Sequence, residues 1–357
     1  MKLKDNCRYD LVVPTSMGVR ITPADRQPVH TSNQYFMQAT SAETNVLNVS
    51  AALGLRTKCL TAFVQGSPIA AFIKGELGRR HIEYEGPELP QGGPWGYRHQ
   101  FNIADSGFGP RGARVWNDRA GEVGRALDAR DFDLDRLFGQ EGVRLVHISG
   151  LIAALSPESA RFCLAVARKA REYGTRLSFD LNYRASFWEG REAELRAVFT
   201  ELAALADVLV GNEEDFQLAL GLQGPPAGGK DLAAKLSGFQ AMIGEARKAY
   251  PQAGVFATTL REVVDAGRNL WGAVLWSDEG WQTASPREIA VLDRIGGGDG
   301  FVSGLLYALL RGWDAEKQLR FGWACGALAV TSLYDYADPA DEAAVWSIWD
   351  GNARVKR

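Results

Sequence analysis

Asp293-Arg294-Ile295-Gly296-Gly297-Gly298-Asp299-Gly300-Phe301 runs directly into the apolar segment Val302–Leu310. Three consecutive glycines let the backbone turn tightly and approach a ligand with no side chain in the way. The apolar segment predicts a helix, so the glycines sit at its positive end, where free backbone N–H groups attract anions. Asp299 then adds a carboxylate beside that site, where electrostatics alone would not favour one. The pairing has a chemical rationale if the carboxylate takes a proton from a hydroxyl that attacks a phosphoryl group. A glycine-rich turn with Asp299 as an N-cap accounts for the same residues structurally. The stretch alone does not choose between the two.

The 357 residues suffice for one large α/β domain with an insertion, or for two domains. A hydrophobic fraction of 46% and a charged fraction of 23% are those of an ordinary globular protein. The net charge of −3 gives no reason to invoke nucleic acid or an anionic membrane. No apolar run approaches the roughly 20 residues that span a bilayer. The start, Met1-Lys2-Leu3-Lys4-Asp5-Asn6, lacks the apolar core of a signal peptide. Cys7, Cys59, Cys163 and Cys325 are scattered, which argues against a disulfide framework or zinc site and makes the cytoplasm the expected compartment. His30, His81, His99 and His147 are too dispersed for a metal cluster.

From about residue 143 the pattern alternates. Arg144–Ser149 reads as a buried strand, and Ser156-Pro157-Glu158 opens a helix to about Tyr173. Strands at Arg176–Leu181, Asp207–Val210, Gly254–Thr259 and Ala273–Trp276 are expected, with helices over Glu192–Leu205, from Glu213, and over Lys230–Tyr250. Such alternation predicts a mostly parallel sheet with helices on both faces. Nearer the N-terminus, Tyr9–Val13 reads as a core strand, and Thr40-Ser41-Ala42-Glu43 as a capping box opening a helix to about Leu53. Segments of about 16–39 and 92–118 are rich in Gly, Pro, aromatics and polar residues, with a hairpin tip at Gly107–Gly112. They read as strands of a small β-sheet lid inserted in one domain spanning 1–357, or else as long surface loops.

Ligands of an open α/β sheet bind beyond the carboxyl ends of its strands. Four polar clusters fall there: Asp180-Leu181-Asn182-Tyr183-Arg184, Gly211-Asn212-Glu213-Glu214-Asp215, Thr258-Thr259-Leu260-Arg261-Glu262 and Gly296–Asp299. Phosphoryl transfer needs an anion cradle, positive charge, a divalent ion and a base. The glycines supply the cradle and Asp299 the base. Arg261 offers charge for nucleotide phosphates, or else a surface ion pair with Glu262. Asn212, Glu213, Glu214 and Asp215 offer a seat for hydrated Mg²⁺, or else an acidic first turn that complements the helix dipole. Arg184, helped by Asn182, suits a carboxylate or phosphate, or else a salt bridge with Asp180. The P-loop pattern is missing, and Phe301 stands where a G-x-G-x-x-G motif would need its last glycine.

Asp293–Phe301 resembles the C-terminal signature of the PfkB/ribokinase-type carbohydrate kinases. Asp-Arg-Ile-Gly-Gly-Gly-Asp is similar to the form found in the 2-keto-3-deoxygluconate kinase branch. Val146–Gly150, Asp180-x-Asn182-Tyr183-Arg184, Gly211–Glu214 and Thr258–Arg261 resemble further motifs of that branch, in order, and Val115–Gly121 resembles its lid segment that contacts substrate. The resemblance implies a ribokinase-like α/β core with a β lid, and phosphorylation of a sugar hydroxyl by ATP with Mg²⁺. It implies Asp299 as base, with the N–H groups of Gly296, Gly297 and Gly298 as anion hole. Asn212 and Arg261 would lie at the nucleotide, and Glu214 and Asp215 near the metal through water. Arg184, Asn182, Arg119, Asn45 and Ser41 would face the sugar, the two arginines holding an acid group. A monovalent cation near Asp293 is also implied.

The departures lie on the sugar side. Thr40 and Ser41 replace a glycine pair that precedes Asn45, Thr15-Ser16 replaces Gly-Glu or Gly-Asp, and Asn117 replaces a tyrosine. Leu333-Tyr334-Asp335 stands in place of Pro-Gly-Asp. The expected activity is therefore phosphorylation of the terminal hydroxyl of 2-keto-3-deoxygluconate or a related keto-deoxy sugar acid. A kinase for a non-acidic sugar, or a sugar sensor that keeps the fold without turnover, are the alternatives. A homodimer through the lid is also expected, with Trp95 and Trp116 either in its interface or in the lid core.

Overall fold

The computed structural model describes residues 1–224 and 232–352. In chain order, β1 (Tyr9–Pro14) is followed by β2 (Gly18–Pro23) and β3 (Tyr35–Thr40), then α1 (Ala42–Ala52), β4 (Thr57–Leu60), β5 (Phe63–Val64), α2 (Pro68–Arg79), β6 (Ile82–Glu85) and β7 (Glu88–Leu89). Next come β8 (Phe101–Asp105) and β9 (Arg114–Asp118). The alternating part comprises β10 (Val143–Ser149), α3 (Gly150–Ala154), α4 (Pro157–Glu172), β11 (Arg176–Asp180), α5 (Ala185–Trp188), α6 (Glu192–Leu205), β12 (Val208–Val210), α7 (Glu213–Leu220) and α8 (Leu232–Ala249). The chain closes with β13 (Val255–Asp265), β14 (Arg268–Ser277), β15 (Gly280–Ala290), α9 (Gly297–Leu310), α10 (Ala315–Ala329) and α11 (Glu342–Trp349).

Nine strands form the main sheet in the order β15-β14-β13-β12-β11-β10-β1-β4-β6. From β13 to β6 every pair is parallel. Parallel strands buried on both faces need continuous apolar runs, and Leu145, Val146, Leu177, Phe179, Val208 and Leu209 are all fully buried. One face packs on α4, α6, α7 and α8 through residues such as Phe162, Phe199, Phe216 and Phe239. The other packs on α1, α2, α9 and α10 through residues such as Val46, Ile73, Leu305 and Phe321. The expected ribokinase-like layering is thus present.

The segments expected to form a lid do form strands, which removes the reading of them as loops alone. Their sheet runs β3-β2-β8-β9, with a parallel β2–β8 pair between two antiparallel pairs. Trp95 is 97% exposed and Trp116 is 47% exposed, so neither belongs to a lid core.

Three expectations need correction. The strands at Gly254–Thr259 and Ala273–Trp276 are only the buried halves of longer β13 and β14, and β15 was not anticipated. These three form an antiparallel meander. Its outer parts carry exposed Glu288 and half-buried Pro286, which an edge strand tolerates and an apolar pattern conceals. The N-cap of α1 is Ser41, whose Oγ accepts from the Thr44 backbone N–H at 3.1 Å. Thr40 still pairs with Gly18 in the lid ladder, so it cannot cap. Glu43 does not close a capping box but accepts from Thr15 Oγ1 at 2.7 Å. The expected start of the helix at Lys230 lies outside the described residues. Among those residues no helix is long and apolar enough to cross a membrane, and all four cysteines are free and buried.

Candidate active site

The four polar clusters line one cleft of about 750 Å³ between the strand ends and the lid. At its floor Gly296 adopts φ 83° and is the N-cap of α9, with no side chain capping the helix. A side chain there is excluded twice over, since a Cβ would lie 1.9 Å from the carbonyl oxygen of Asp335. Gly297 packs against Val330, whereas a Cβ on Gly298 would meet no atom within 4 Å. Packing therefore does not explain the glycine at 298, but a ligand approaching the bare backbone would. Asp299 is the third residue of the helix, not its cap as the structural reading supposed.

Asp299 Oδ2 accepts from Asn45 Nδ2 at 2.9 Å. Burial pushes its carboxyl up to about 7; Asp335 and Glu43 push the same way, while the Asn45 hydrogen bond and the Arg184 charge oppose the rise. A carboxylate that titrates near neutrality suits a general base.

Arg184, Arg261 and Arg294 all line this cleft. None has a carboxylate within ion-pair distance among the described residues. Glu262 cannot reach across because neighbours on a strand point to opposite faces. Arg184 donates to the Tyr183 carbonyl at 2.7 Å and not to Asp180. Crowding by the cleft walls, then the charges of Arg294 and Arg184, pull Arg261 down to about 10. Uncompensated guanidinium groups beside an uncapped helix end make a strongly anion-seeking cleft.

Asn182 and Asn45 are buried and line the cleft. Asn182 holds a φ of 38°, and its Nδ2 donates to Ser149 Oγ at 3.2 Å. Arg119 is differently placed from Arg184. Its Nη1 donates to Gln100 Oε1 at 2.8 Å and to the two carboxylate oxygens of Glu122 at 2.9 and 3.0 Å. The Glu122 side chain is fully buried, so the Arg119 charge is already balanced. Thr40, Ser41, Thr15 and Ser16 turn their hydroxyls onto Asp335, Thr44, Glu43 and Glu122 respectively. The replaced positions thus hold the protein together around the pocket.

Residues 21–342 match the profile of the pfkB family carbohydrate kinases. The chain belongs to this family. It is 26% identical over 224 residues to the 5-dehydro-2-deoxygluconokinase of Clostridium tetani, which covers 62% of this chain and 59% of that protein. The chain thus spans less than two thirds of the length of the curated relatives it matches first. It is 25% identical to the 2-dehydro-3-deoxygalactonokinase of Haloferax volcanii over 98% of this chain and 99% of that one. Among solved structures, the 2-dehydro-3-deoxygluconokinase of Thermotoga maritima superposes with a TM-score of 0.86 at 25% identity, covering 96% and 98% of the two chains.

Kinases of this family use ATP with Mg²⁺. Among the described residues no three His, Cys, Asp or Glu side chains gather as direct metal ligands. Asn212 and Asp215 form a reciprocal capping box at α7, each bond 2.8 Å, and the other Asp215 oxygen accepts from the Tyr183 N–H at 2.9 Å. Burial raises the Asp215 carboxyl to about 6. Asp215 is therefore first a fastener of two cleft loops, and exposed Glu214 is the freer acid. Carboxylates placed this way fit an ion held through its waters.

Sequence reasoning gave no role in the cleft to Arg294, Arg20 or Asp335, all of which line it. Arg294 had a legible signal, since it sits inside the glycine signature. Asp180 is driven well above the usual carboxylate range by burial and then by Asp215 and Asp299, and only the fold brings those acids together.

Proposed function

We propose that the chain is an ATP-dependent sugar-acid kinase acting on the terminal hydroxyl of 2-keto-3-deoxygluconate or a related keto-deoxy acid. The observation that carries this reading is the meeting of Asp299 with the uncapped glycine turn and three unpaired arginines. Asp299 takes the hydroxyl proton as the oxygen attacks the terminal phosphoryl group of ATP. That P–O bond forms as the bond to the leaving ADP breaks. The N–H groups of Gly297 and Gly298 receive the charge on the transferred group. Arg261, Arg294 and Asn212 hold the phosphates. Glu214 and Asp215 would hold Mg²⁺ through its waters, and the ion would supply further neutralisation of phosphate charge. Arg184 and Asn182 hold the carboxylate of the acid, and Asn45 orients Asp299.

A second reading, a kinase for a neutral sugar, is favoured by the balanced Arg119–Glu122 pair, which leaves one free arginine on the sugar side instead of two. The test is ADP release from MgATP with 2-keto-3-deoxygluconate, its galactose epimer, 5-keto-2-deoxygluconate, gluconate, fructose and ribose. Turnover of a keto-deoxy acid, lost in Asp299→Asn, supports the first reading. Turnover confined to fructose or ribose replaces it with the second. Absence of turnover alongside sugar binding by calorimetry would point to a sensor.

The lid also supports a homodimer. Tyr35, Phe36 and Met37 on β3, and Val115 and Trp116 on β9, expose apolar surface on both edge strands of the small sheet. Light scattering on the wild type and on Phe36→Asp tests this, since only a lid-paired dimer would fall to monomer in the variant.

A further inference from the structure

The cation expected near Asp293 has a counterpart inside the chain. Arg20 comes from β2 of the lid and is 1% exposed. Its Nη2 donates to Asp293 Oδ2 and its Nη1 to Asp335 Oδ1. The remaining oxygens are also occupied. Asp293 Oδ1 accepts from the Ile295 N–H at 3.0 Å, and Asp335 Oδ2 from Thr40 Oγ1 at 2.8 Å. All four carboxylate oxygens therefore have donors from the chain, and Asp293 is wholly buried. A monovalent ion binds through such lone pairs. It would have to displace a guanidinium that stays charged and bridges both acids in a fixed fork. The residues present do not fit a monovalent cation at Asp293.

The place matters because both acids border the anion-binding turn. Asp293 fastens Ile295 just before Gly296, and the Asp335 backbone packs on Gly296 itself. We propose that Arg20 is a built-in cation: a positioning residue that fixes the glycine turn from the lid side and makes the protein independent of potassium or sodium. In its rate measurement the proposal rests on the kinase reading; in its stability measurement it does not.

The experiment compares the dialysed wild type in potassium, sodium and tetramethylammonium chloride at equal ionic strength, by thermal midpoint and by the rate with MgATP and the sugar found to turn over. Coincident midpoints and equal rates are expected. In Arg20→Ala the midpoint should fall, and potassium or sodium should restore part of the loss where tetramethylammonium does not. Arg20→Lys, with an ammonium too compact to bridge both acids, should lie between. A wild-type midpoint or rate that rises saturably with potassium, but not with tetramethylammonium, overturns the proposal even if neither variant folds. If no sugar turns over, coincident wild-type midpoints still support Arg20 while the kinase reading falls. Potassium-dependent turnover does the reverse.

Discussion

Asn45 and Asp299 are 254 positions apart in sequence, yet the Asn45 amide donates to the Asp299 carboxylate at 2.9 Å. The contact ties α1 to α9 at the carboxylate that directly follows the glycine turn. A hydrogen bond to the ionised form favours it, and this bond opposes the rise that burial imposes on Asp299. Removing the donor in Asn45→Ala should therefore raise the Asp299 pKa. The acid limb of the pH–rate profile, expected near 7 in the wild type, should move upward by about one pH unit. Its activity should fall further at pH 6 than at pH 9. A uniform loss across the range would mean that Asn45 serves the substrate and not Asp299.

Asp299→Asn should lower kcat by about 10²–10⁴-fold while the KM for ATP stays near its wild-type value. Stability should respond in the opposite direction. The folded-state pKa of Asp299 lies above its ordinary value, so the stability it contributes is fully present below about 3.8 and is lost as pH rises through about 7. Above that, the wild type carries a half-buried charge that the variant lacks. Denaturant unfolding at pH 8.5 should show Asp299→Asn more stable by a few kcal/mol at most, the full shift corresponding to about 4 kcal/mol. At pH 3.5 the two should nearly coincide. Equal stabilities at both pH values would show that Asp299 is not desolvated.

The glycine turn was legible because its meaning is local: Gly296 to Asp299 and the helix behind them are contiguous. The buried strands β10 to β12 were legible for the same reason, as short apolar runs with helix caps between them. β15 was not, because an edge strand with Pro286 and exposed polar residues lacks the continuous pattern that burial on both faces imposes. Arg20 was also unreadable in sequence, since its partners lie 273 and 315 positions away. The resemblance gives Arg119 to the acid group of the substrate, and nothing in sequence shows that Glu122 turns inward beside it. Motifs reveal which groups are available, whereas the fold decides which of them are already spent on one another.

Gly296 and Gly298 should separate folding from binding. Gly296→Ala must place a Cβ against the Asp335 backbone at positive φ, and should cost about 2–5 kcal/mol of stability. Gly298→Ala meets open space inside the first turn of α9, and should leave stability unchanged or raise it by up to about 1 kcal/mol. The added methyl would project toward the bare N–H groups, so ATP affinity should fall by about tenfold or more. Calorimetry with ATP, paired with thermal melts of both variants, checks this. Unchanged ATP affinity in Gly298→Ala would remove the turn from the phosphate site.

Arg184 and Arg119 should part company in the same way on the sugar side. Arg184 is exposed and donates only to a neighbouring backbone carbonyl, so its charge is available to a ligand. Arg184→Ala should leave stability within about 0.5 kcal/mol of wild type. It should raise the KM for an acidic sugar by about 10–100-fold, the weight of a charge-assisted bond. A neutral sugar should be hardly affected. Arg119→Ala instead leaves buried Glu122 with the Ser16 hydroxyl alone, at a cost of about 1–3 kcal/mol in stability. Because burial already raises the Glu122 carboxyl, the variant can recover by protonating it. Its stability deficit should therefore shrink as pH falls, a signature that loss of a substrate contact would not give. Thermal melts of both variants between pH 5 and 8, with KM values for one acidic and one neutral sugar, decide the assignment. If Arg119→Ala raised the KM of the acid alone at unchanged stability, both arginines would belong to the acid site, and Glu122 would then be the gate that substrate must displace.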